Sequence, residues 1–101
     1  MKERIERFRR WMENQGIDVS VVLKPHDVMY LSGWAPVCSG LLVFRQSPPV
    51  EVCIWLDGPE GKKNRSFLQI AGYRFPESSM AKKMAGLIRE RLNPPLSIGI
   101  E

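Results

Sequence analysis

One short apolar run constrains the fold of this chain more than any other segment. Residues 19–23 read Val-Ser-Val-Val-Leu, so β-branched side chains dominate and almost nothing polar interrupts them. Such a run favours extended backbone, and the lack of polar alternation is typical of a strand that is buried on both faces. A sheet built around this strand needs a covering layer on each side, which predicts an α/β domain with helices packed on a sheet.

A charged helix is predicted before this strand. Ile5, Phe8 and Met12 recur at helical spacing, with Trp11 adjoining them, which gives one apolar stripe on an otherwise charged segment. Glycine accepts the left-handed backbone conformation that closes a helix, so we expect this helix to end at Gly16.

A short helical turn is predicted after the strand. Pro25 ends the extended run, and residues 27–31 then form the turn. Its start lies at His26 or Asp27, and Gly33 releases the chain.

The middle of the chain is predicted to form a hairpin. Residues 40–45 and 50–56 are predicted to be strands, and residues 46–49, with two prolines, leave room only for an antiparallel connection. The weakly amphipathic residues 62–70 are predicted to be helical. Residues 73–75, which precede a proline, are predicted to form a short edge strand.

A clear helix and a strand close the sequence. Ser78 or Ser79 is the expected helix cap, and residues 93–95, Asn-Pro-Pro, are the expected terminator. A strand then begins with Ile98 and Ile100, so the elements together predict a mixed sheet flanked by helices. The apolar face of the helix comprises Met80, Met84, Leu87, Ile88 and Leu92.

Composition bounds the class of protein. A chain of 101 residues is one domain, and 44% hydrophobic with 26% charged residues is ordinary for a globular fold. The amino terminus has no apolar core of a secretory signal, and no apolar run reaches the roughly 20 residues of a spanning helix. We therefore expect a cytoplasmic protein, in which Cys38 and Cys53 are free thiols.

The net charge of +4 does not indicate a nucleic-acid surface. Glu3 with Arg7 and Glu6 with Arg10 have the spacing of ion pairs on a solvated helix face. The densest basic run, Lys62-Lys63-Asn64-Arg65, is interpreted in the same way, as a solvated helix start. No glycine pattern of a phosphate-binding loop is present.

Residues that carry catalysis are sparse. His26 is the one histidine, and a single imidazole without clustered carboxylates does not make a hydrolytic metal site. It either bonds local backbone at the start of the helix or contacts a substrate. The cysteines lack the paired spacing of a zinc site. The sequence thus predicts no catalytic, cofactor-binding or metal-binding residues within this chain.

The order of two motifs resembles a known family. Gly-Ile-Asp at residues 16–18 opens the apolar strand, and the octapeptide at residues 26–33 reads His-Asp-Val-Met-Tyr-Leu-Ser-Gly. From Arg4 to Glu101 the chain resembles the amino-terminal domain of creatinase, prolidase and Xaa-Pro aminopeptidase, the pita-bread metallopeptidases. The resemblance implies a three-layer domain with a mixed β-sheet and a ribonuclease H-like motif. The chain departs from the family at residues 55–63, so no family role is transferred to that loop.

The resemblance implies an accessory role. Residues 1–101 would be a single non-catalytic domain and a piece of a longer protein, an Xaa-Pro dipeptidase or aminopeptidase. The catalytic domain, with two divalent metal ions (Mn, Co or Zn), would lie elsewhere in that protein. Implied partners are this catalytic domain, a second subunit in a homodimer, and short proline-containing peptides. His26 and Trp34 would lie on the rim of the substrate pocket. The alternative for Trp34, and the commoner position of a tryptophan, is a core residue under its loop.

Two alternatives stay open on the sequence alone. The chain is a stand-alone binding or scaffold module of the same fold, or it is the amino-terminal domain of a creatinase-type amidinohydrolase. The coding sequence beyond Glu101 would separate these alternatives from the peptidase. Spaced Asp, Asp, His, Glu and Glu metal ligands would indicate peptidase chemistry, a stop codon would indicate the stand-alone module, and substituted ligands would indicate a protein without this activity.

Overall fold

The architecture follows from a five-stranded sheet with helices on both faces. The computed structural model describes residues 2–33, 35, 38–54, 69–73, 78–92 and 97–100. Along the chain the elements are α1 (Lys2–Gln15), β1 (Val19–Val22), α2 (Pro25–Ser32), β2 (Gly40–Phe44), β3 (Val50–Ile54), β4 (Gln69–Tyr73), α3 (Met80–Arg91) and β5 (Ile98–Ile100).

The sheet is mixed, with the strand order β4-β3-β2-β1-β5. β2 pairs antiparallel with both β1 and β3. The two outer pairings are parallel: β1 with β5, and β3 with β4. This arrangement confirms the predicted α/β fold, the mixed sheet and the antiparallel hairpin. The hairpin strands end at Phe44 and Ile54.

Two apolar cores lie on opposite faces of the sheet. One core includes Val19 of β1 together with the buried side of α3, and the other includes Val22 of β1 together with the buried sides of α1 and α2. Both valines are fully buried, so β1 is covered on both faces as its sequence predicts. The domain therefore has three layers: α1 with α2, the sheet, and α3.

The Gly-Ile-Asp motif connects α1 to the sheet. Gly16 has φ +70° and closes the helix, and the N–H of Ile17 donates to the carbonyl of Met12 at 2.9 Å. The Asp18 carboxylate then accepts from the backbone N–H of Ser97 at 2.9 Å and lies 3.2 Å from the Arg45 guanidinium. One side chain thus joins the starts of β1 and β5 to the end of β2.

Arg9 holds α1 against the β2–β3 turn. Its Nε donates to the Phe44 carbonyl at 3.0 Å, and its guanidinium also donates to the Ser47 carbonyl. Glu6 pairs with this anchored residue at 3.2 Å. The sequence spacing predicts that Glu6 pairs with Arg10. In the structure Glu6 pairs with Arg9, because the backbone carbonyls already hold the Arg9 side chain beside it.

The two other described helices have defined ends. α2 begins with Pro25 in its first turn, two residues earlier than the turn predicted from the sequence, and ends at Gly33 with φ +80°. α3 is capped by Ser79, whose hydroxyl accepts from the N–H of Lys82 at 3.2 Å. None of the helices among the described residues has the length and apolarity needed to cross a bilayer.

The segment before α3 differs from its sequence-based prediction. Gln69 and Ile70 are strand residues and not the end of a helix, and β4 begins four residues before the predicted strand at residue 73. Pairing with β3 accounts for this, since Val50 to Ile54 align with Gln69 to Tyr73 and draw the whole pentapeptide into the sheet. Residues 62–68, 74–75 and 93–95, on which other predictions fell, lie outside the described residues.

Adjacent residues of α1 give a direct test of this packing. Met12 is fully buried between α1 and the sheet, whereas Trp11 is half exposed. We expect Met12→Ala to lower the free energy of unfolding by about 2 to 5 kcal/mol, because it removes apolar contacts and leaves a cavity. Trp11→Ala should cost at most about 1 kcal/mol. Urea unfolding monitored by circular dichroism measures both values, and equal losses would contradict the assigned orientation of α1.

Candidate functional site

The exposed side of α2 carries the candidate histidine. His26 lies in the first turn and is exposed, and Met29 and Tyr30 follow on the same side at three and four residues' spacing. The opposite side is buried through Val28 and Leu31. The helix therefore presents an imidazole and two large side chains outward. Trp34 lies outside the described residues, so its place on a pocket rim stays a prediction.

The connection from α2 to β2 is held at both of its ends. At the helix end, the Gly33 N–H donates to the Met29 carbonyl at 2.8 Å. At the strand end, Cys38 has φ +59°, which is uncommon for a residue with a side chain, and the Tyr73 hydroxyl donates to its carbonyl at 3.0 Å. The described residues at both ends of the connection are therefore held by hydrogen bonds.

Tyr73 is a buried phenol in this arrangement. Burial raises its pKa, and the nearby thiols of Cys38 and Cys53 raise it further because their thiolate charge opposes a phenolate. The hydroxyl therefore stays protonated and remains a hydrogen-bond donor at neutral pH. Its bond to Cys38 joins the edge strand β4 to the start of β2.

The described residues supply no ligand set for the metal ions that the resemblance implies. Among residues 2–33, 35, 38–54, 69–73, 78–92 and 97–100, no three His, Cys, Asp or Glu side chains come together. Cys38 is exposed and Cys53 is buried, and both are free thiols as predicted. No catalytic step is therefore assigned to a metal held by this part of the chain.

Two of the surface clefts that the described residues form do not include His26 in their lining. The larger, about 290 Å³, lies between α1 and the β2–β3 turn, and the smaller, about 110 Å³, lies beside Asp18 and Arg91. Arg9 lines the larger cleft, but its guanidinium is bound to backbone carbonyls and to Glu6. This cleft is a structural junction rather than a reaction site.

Glu51 is a buried carboxylate that the sequence-based interpretation missed. In β3 it alternates with the apolar Val50 and Val52, a pattern that ordinarily places the polar residue in solvent. Here it is fully buried, and its neighbours in register are Leu41 and Ile70. The alternation correctly predicts that Glu51 lies on the opposite face of β3 from Val50 and Val52. Its burial depends on the helical layer that covers this face of the sheet, which the alternation does not reveal.

Comparison with protein families assigns the fold. A model of the creatinase/prolidase N-terminal domain family matches residues 4–101. The chain belongs to this family. The match covers all five strands and both faces of the sheet, so it confirms the resemblance carried by the Gly-Ile-Asp and Tyr-Leu-Ser-Gly motifs.

Relatives of this creatinase/prolidase N-terminal domain include a much longer protein. It is 34% identical over 74 residues to an uncharacterized peptidase of Methanocaldococcus jannaschii, covering 73% of this chain and 21% of that protein. The chain thus spans about a fifth of the length of the curated relative it matches.

Solved structures show the same fold. The N-terminal domain of an Xaa-Pro dipeptidase from Lactobacillus brevis superposes with a TM-score of 0.83 at 20% identity, covering 97% of this chain and 75% of that one. The N-terminal domain of the cytoplasmic peptidase PepQ from Mycobacterium tuberculosis superposes with a TM-score of 0.74 at 15% identity, covering 98% and 91%.

Tyr73→Phe tests the strand-end anchor. At pH 8 we expect it to lower the free energy of unfolding by about 1 kcal/mol, the typical net value of one hydrogen bond. Because the folded pKa lies above the ordinary value of 10.0, the contribution of Tyr73 is complete below that pH and lost as pH rises through the folded value. Wild type should therefore lose more stability than Tyr73→Phe between pH 9 and pH 11 in urea titrations (about one unit either side of the ordinary phenol pKa).

The matched control is Tyr30→Phe, since Tyr30 is half exposed on α2. This variant should retain the alkaline loss of the wild type. Identical pH profiles for wild type and Tyr73→Phe would show that the Tyr73 phenol is not buried as described.

Proposed function

We propose that this chain is the non-catalytic N-terminal domain of a metal-dependent Xaa-Pro dipeptidase- or aminopeptidase-like hydrolase. One observation carries the proposal: nearly the whole chain superposes on a domain that occupies the N-terminal position of an Xaa-Pro dipeptidase. The roles proposed for it are contacts between subunits of a homodimer and restriction of access to the active site of the parent enzyme.

The side chains of the domain support a non-catalytic role. The one imidazole, His26, is exposed on α2 and lines neither surface cleft. The two thiols are divided between an exposed turn and the core. Catalysis needs such groups brought together and tuned by their surroundings. The chemistry is therefore proposed for the remainder of the parent protein.

The curated relative is long enough to contain such a remainder, because the matched part is only 21% of its length. In the proposed parent enzyme, two divalent metal ions (Mn, Co or Zn) bound there supply a hydroxide and polarise the carbonyl of the bond before proline. Like the relative named as a cytoplasmic peptidase, the parent enzyme is proposed to act in the cytoplasm.

The anchored connection after α2 supports the access role. Residues that narrow a pocket must be held in place, and the Gly33 and Tyr73 hydrogen bonds fix both ends of this segment. His26 and Trp34 then flank the entrance, where they favour short proline-containing peptides by excluding longer ones.

The proposed function is tested by expressing the product of the complete reading frame beside residues 1–101. With Mn²⁺, Co²⁺ or Zn²⁺ added, we expect hydrolysis of an Xaa-Pro dipeptide by the complete product and none by residues 1–101. The mass of each product and its circular dichroism spectrum confirm that both are intact and folded.

Three results would count against this function. A reading frame that ends at Glu101 would favour the stand-alone binding module. Hydrolysis of creatine in place of the dipeptide would favour a creatinase-type amidinohydrolase. A folded complete product that hydrolyses neither compound would exclude both enzyme assignments.

His26→Ala in the complete product tests the pocket rim. We expect KM for the dipeptide to rise about threefold to tenfold with kcat and bound metal little changed, because a rim contact contributes to binding and not to the reacting bond. Glu90→Ala, an exposed change on α3, is the control and should leave both parameters unchanged. An unchanged KM in His26→Ala would remove His26 from the rim.

A further inference from the structure

The backbone of Cys38 has a conformation that is unfavourable for a residue with a side chain. Its φ of +59° lies in the left-handed region, where Cβ approaches the following carbonyl oxygen too closely. The other described residues with positive φ, Gly16 and Gly33, have no Cβ and adopt this region freely. Strain of this kind persists only where the surrounding structure holds it, and it is concentrated in functional segments.

The side chain of Cys38 does not stabilise this conformation. The thiol is exposed, so packing does not hold it in place. A thiol is also a weak hydrogen-bond donor, unlike the Asn and Asp side chains that stabilise left-handed residues through local hydrogen bonds. The conformation is therefore held through the backbone of Cys38.

The Tyr73 hydroxyl supplies a backbone contact of this kind. It donates to the Cys38 carbonyl at 3.0 Å, from a position 35 residues further along the chain. The core sets the position of this hydroxyl, because β4 pairs Tyr73 with Ile54 of β3 and the ring is buried with Met84 and Leu87 of α3. Tyr73 is thus a fixed donor to which the Cys38 carbonyl is held.

The chain directly after Cys38 has little room to adjust in its place. Ser39 and Gly40 are buried where β2 begins. A Cβ added at Gly40 would lie 2.5 Å from the Cε methyl of Met84, so α3 packs closely against the β2 backbone at this point. A change in the Tyr73 hydrogen bond is therefore expected to act on Cys38 itself rather than on β2.

Two opposing free energies of similar size meet at Cys38. A left-handed conformation is unfavourable for a residue with a side chain by about as much as one intramolecular hydrogen bond is favourable. Loss of the Tyr73 hydrogen bond is thus enough to let residue 38 leave the left-handed region. A residue balanced between two backbone conformations is a hinge that a single contact controls.

We propose that Tyr73 is a positioning residue that locks Cys38 in its left-handed conformation and thereby fixes the end of the connection between Gly33 and Cys38. The lock links the core beside α3 to the segment for which the access role is proposed. Its effect on substrate choice rests on that proposed function, whereas the lock itself is a property of residues 1–101.

The lock is tested by nuclear magnetic resonance on the 101-residue chain. Chemical shifts and three-bond couplings give φ of residue 38. We expect a positive φ in the wild type and an extended, negative φ in Tyr73→Phe, because the donor to the Cys38 carbonyl is lost. Tyr30→Phe removes the hydroxyl of the other tyrosine, which is half exposed on α2, and should leave φ of residue 38 positive.

Two substitutions at residue 38 separate backbone strain from thiol chemistry. In Cys38→Gly the left-handed conformation has no Cβ to strain it, so φ should stay positive even when Tyr73→Phe is added. Cys38→Ala keeps the Cβ and removes the thiol, so it should respond to Tyr73→Phe as the wild type does. Circular dichroism spectra of all the variants establish that each is folded.

The effect on substrate choice is measured in the complete product as the ratio of kcat/KM for an Xaa-Pro dipeptide to that for a ten-residue Xaa-Pro peptide. We expect Tyr73→Phe to lower this ratio about threefold, with kcat for the dipeptide little changed. Adding Cys38→Gly should restore the ratio to within about twofold of the wild type. A purely structural role of Tyr73 would not be rescued by removing one Cβ from residue 38.

Three results would overturn the proposal. One is a positive φ at residue 38 in Tyr73→Phe, which would mean that another contact holds Cys38. Another is the same change of φ in Cys38→Gly as in Cys38→Ala, which would exclude strain as the cause. The third is an unchanged peptide preference in a Tyr73→Phe variant whose residue 38 has changed conformation. A folded complete product that cleaves neither peptide would instead contradict the proposed function, and a change of φ in Tyr73→Phe would still support the lock.

Discussion

Burial of β1 on both faces is the constraint on which the rest of the structure depends. Val19 and Val22 point to opposite sides of the sheet, and each enters a separate apolar core. Neither core exists without its helical layer, because one sheet of this size leaves its apolar faces in water. The helices on either side of β1 in the chain, α1 and α2, supply one layer, and α3, which follows β4, supplies the other.

Long-range polar contacts then fix the ends of the strands. Asp18 joins the starts of β1 and β5, Arg9 fastens α1 to the β2–β3 turn, and Tyr73 fastens the edge strand to Cys38. Each uses a backbone group at a strand or turn end, where the ladder leaves donors and acceptors available. Backbone-directed contacts of this kind explain how a small domain holds the ends of its connections in place.

Much of the fold is predictable from the sequence because its signals are local. The double-sided β1, the helical stripe of α1, the glycine at the end of α2 and the serine cap of α3 all depend on neighbouring residues. The bounds of β4 are not predicted correctly from the sequence. Its extended conformation depends on pairing with β3, and local propensity does not indicate that pairing. Glu51 was missed for a related reason: its burial depends on the layer above it. The rim of the candidate site is predicted from the family resemblance, and the position of His26 on the exposed side of α2 is compatible with it.

We propose that the connection between Gly33 and Cys38 selects short substrates for the parent enzyme. The most direct test of this proposal replaces residues 34–37 by four glycines in the complete product, leaving Gly33 and Cys38 in place, and compares kcat/KM for an Xaa-Pro dipeptide with that for a ten-residue Xaa-Pro peptide. We expect the preference for the dipeptide to fall about tenfold while dipeptide cleavage persists. An unchanged preference in an active, folded variant would contradict the claim that this domain controls access.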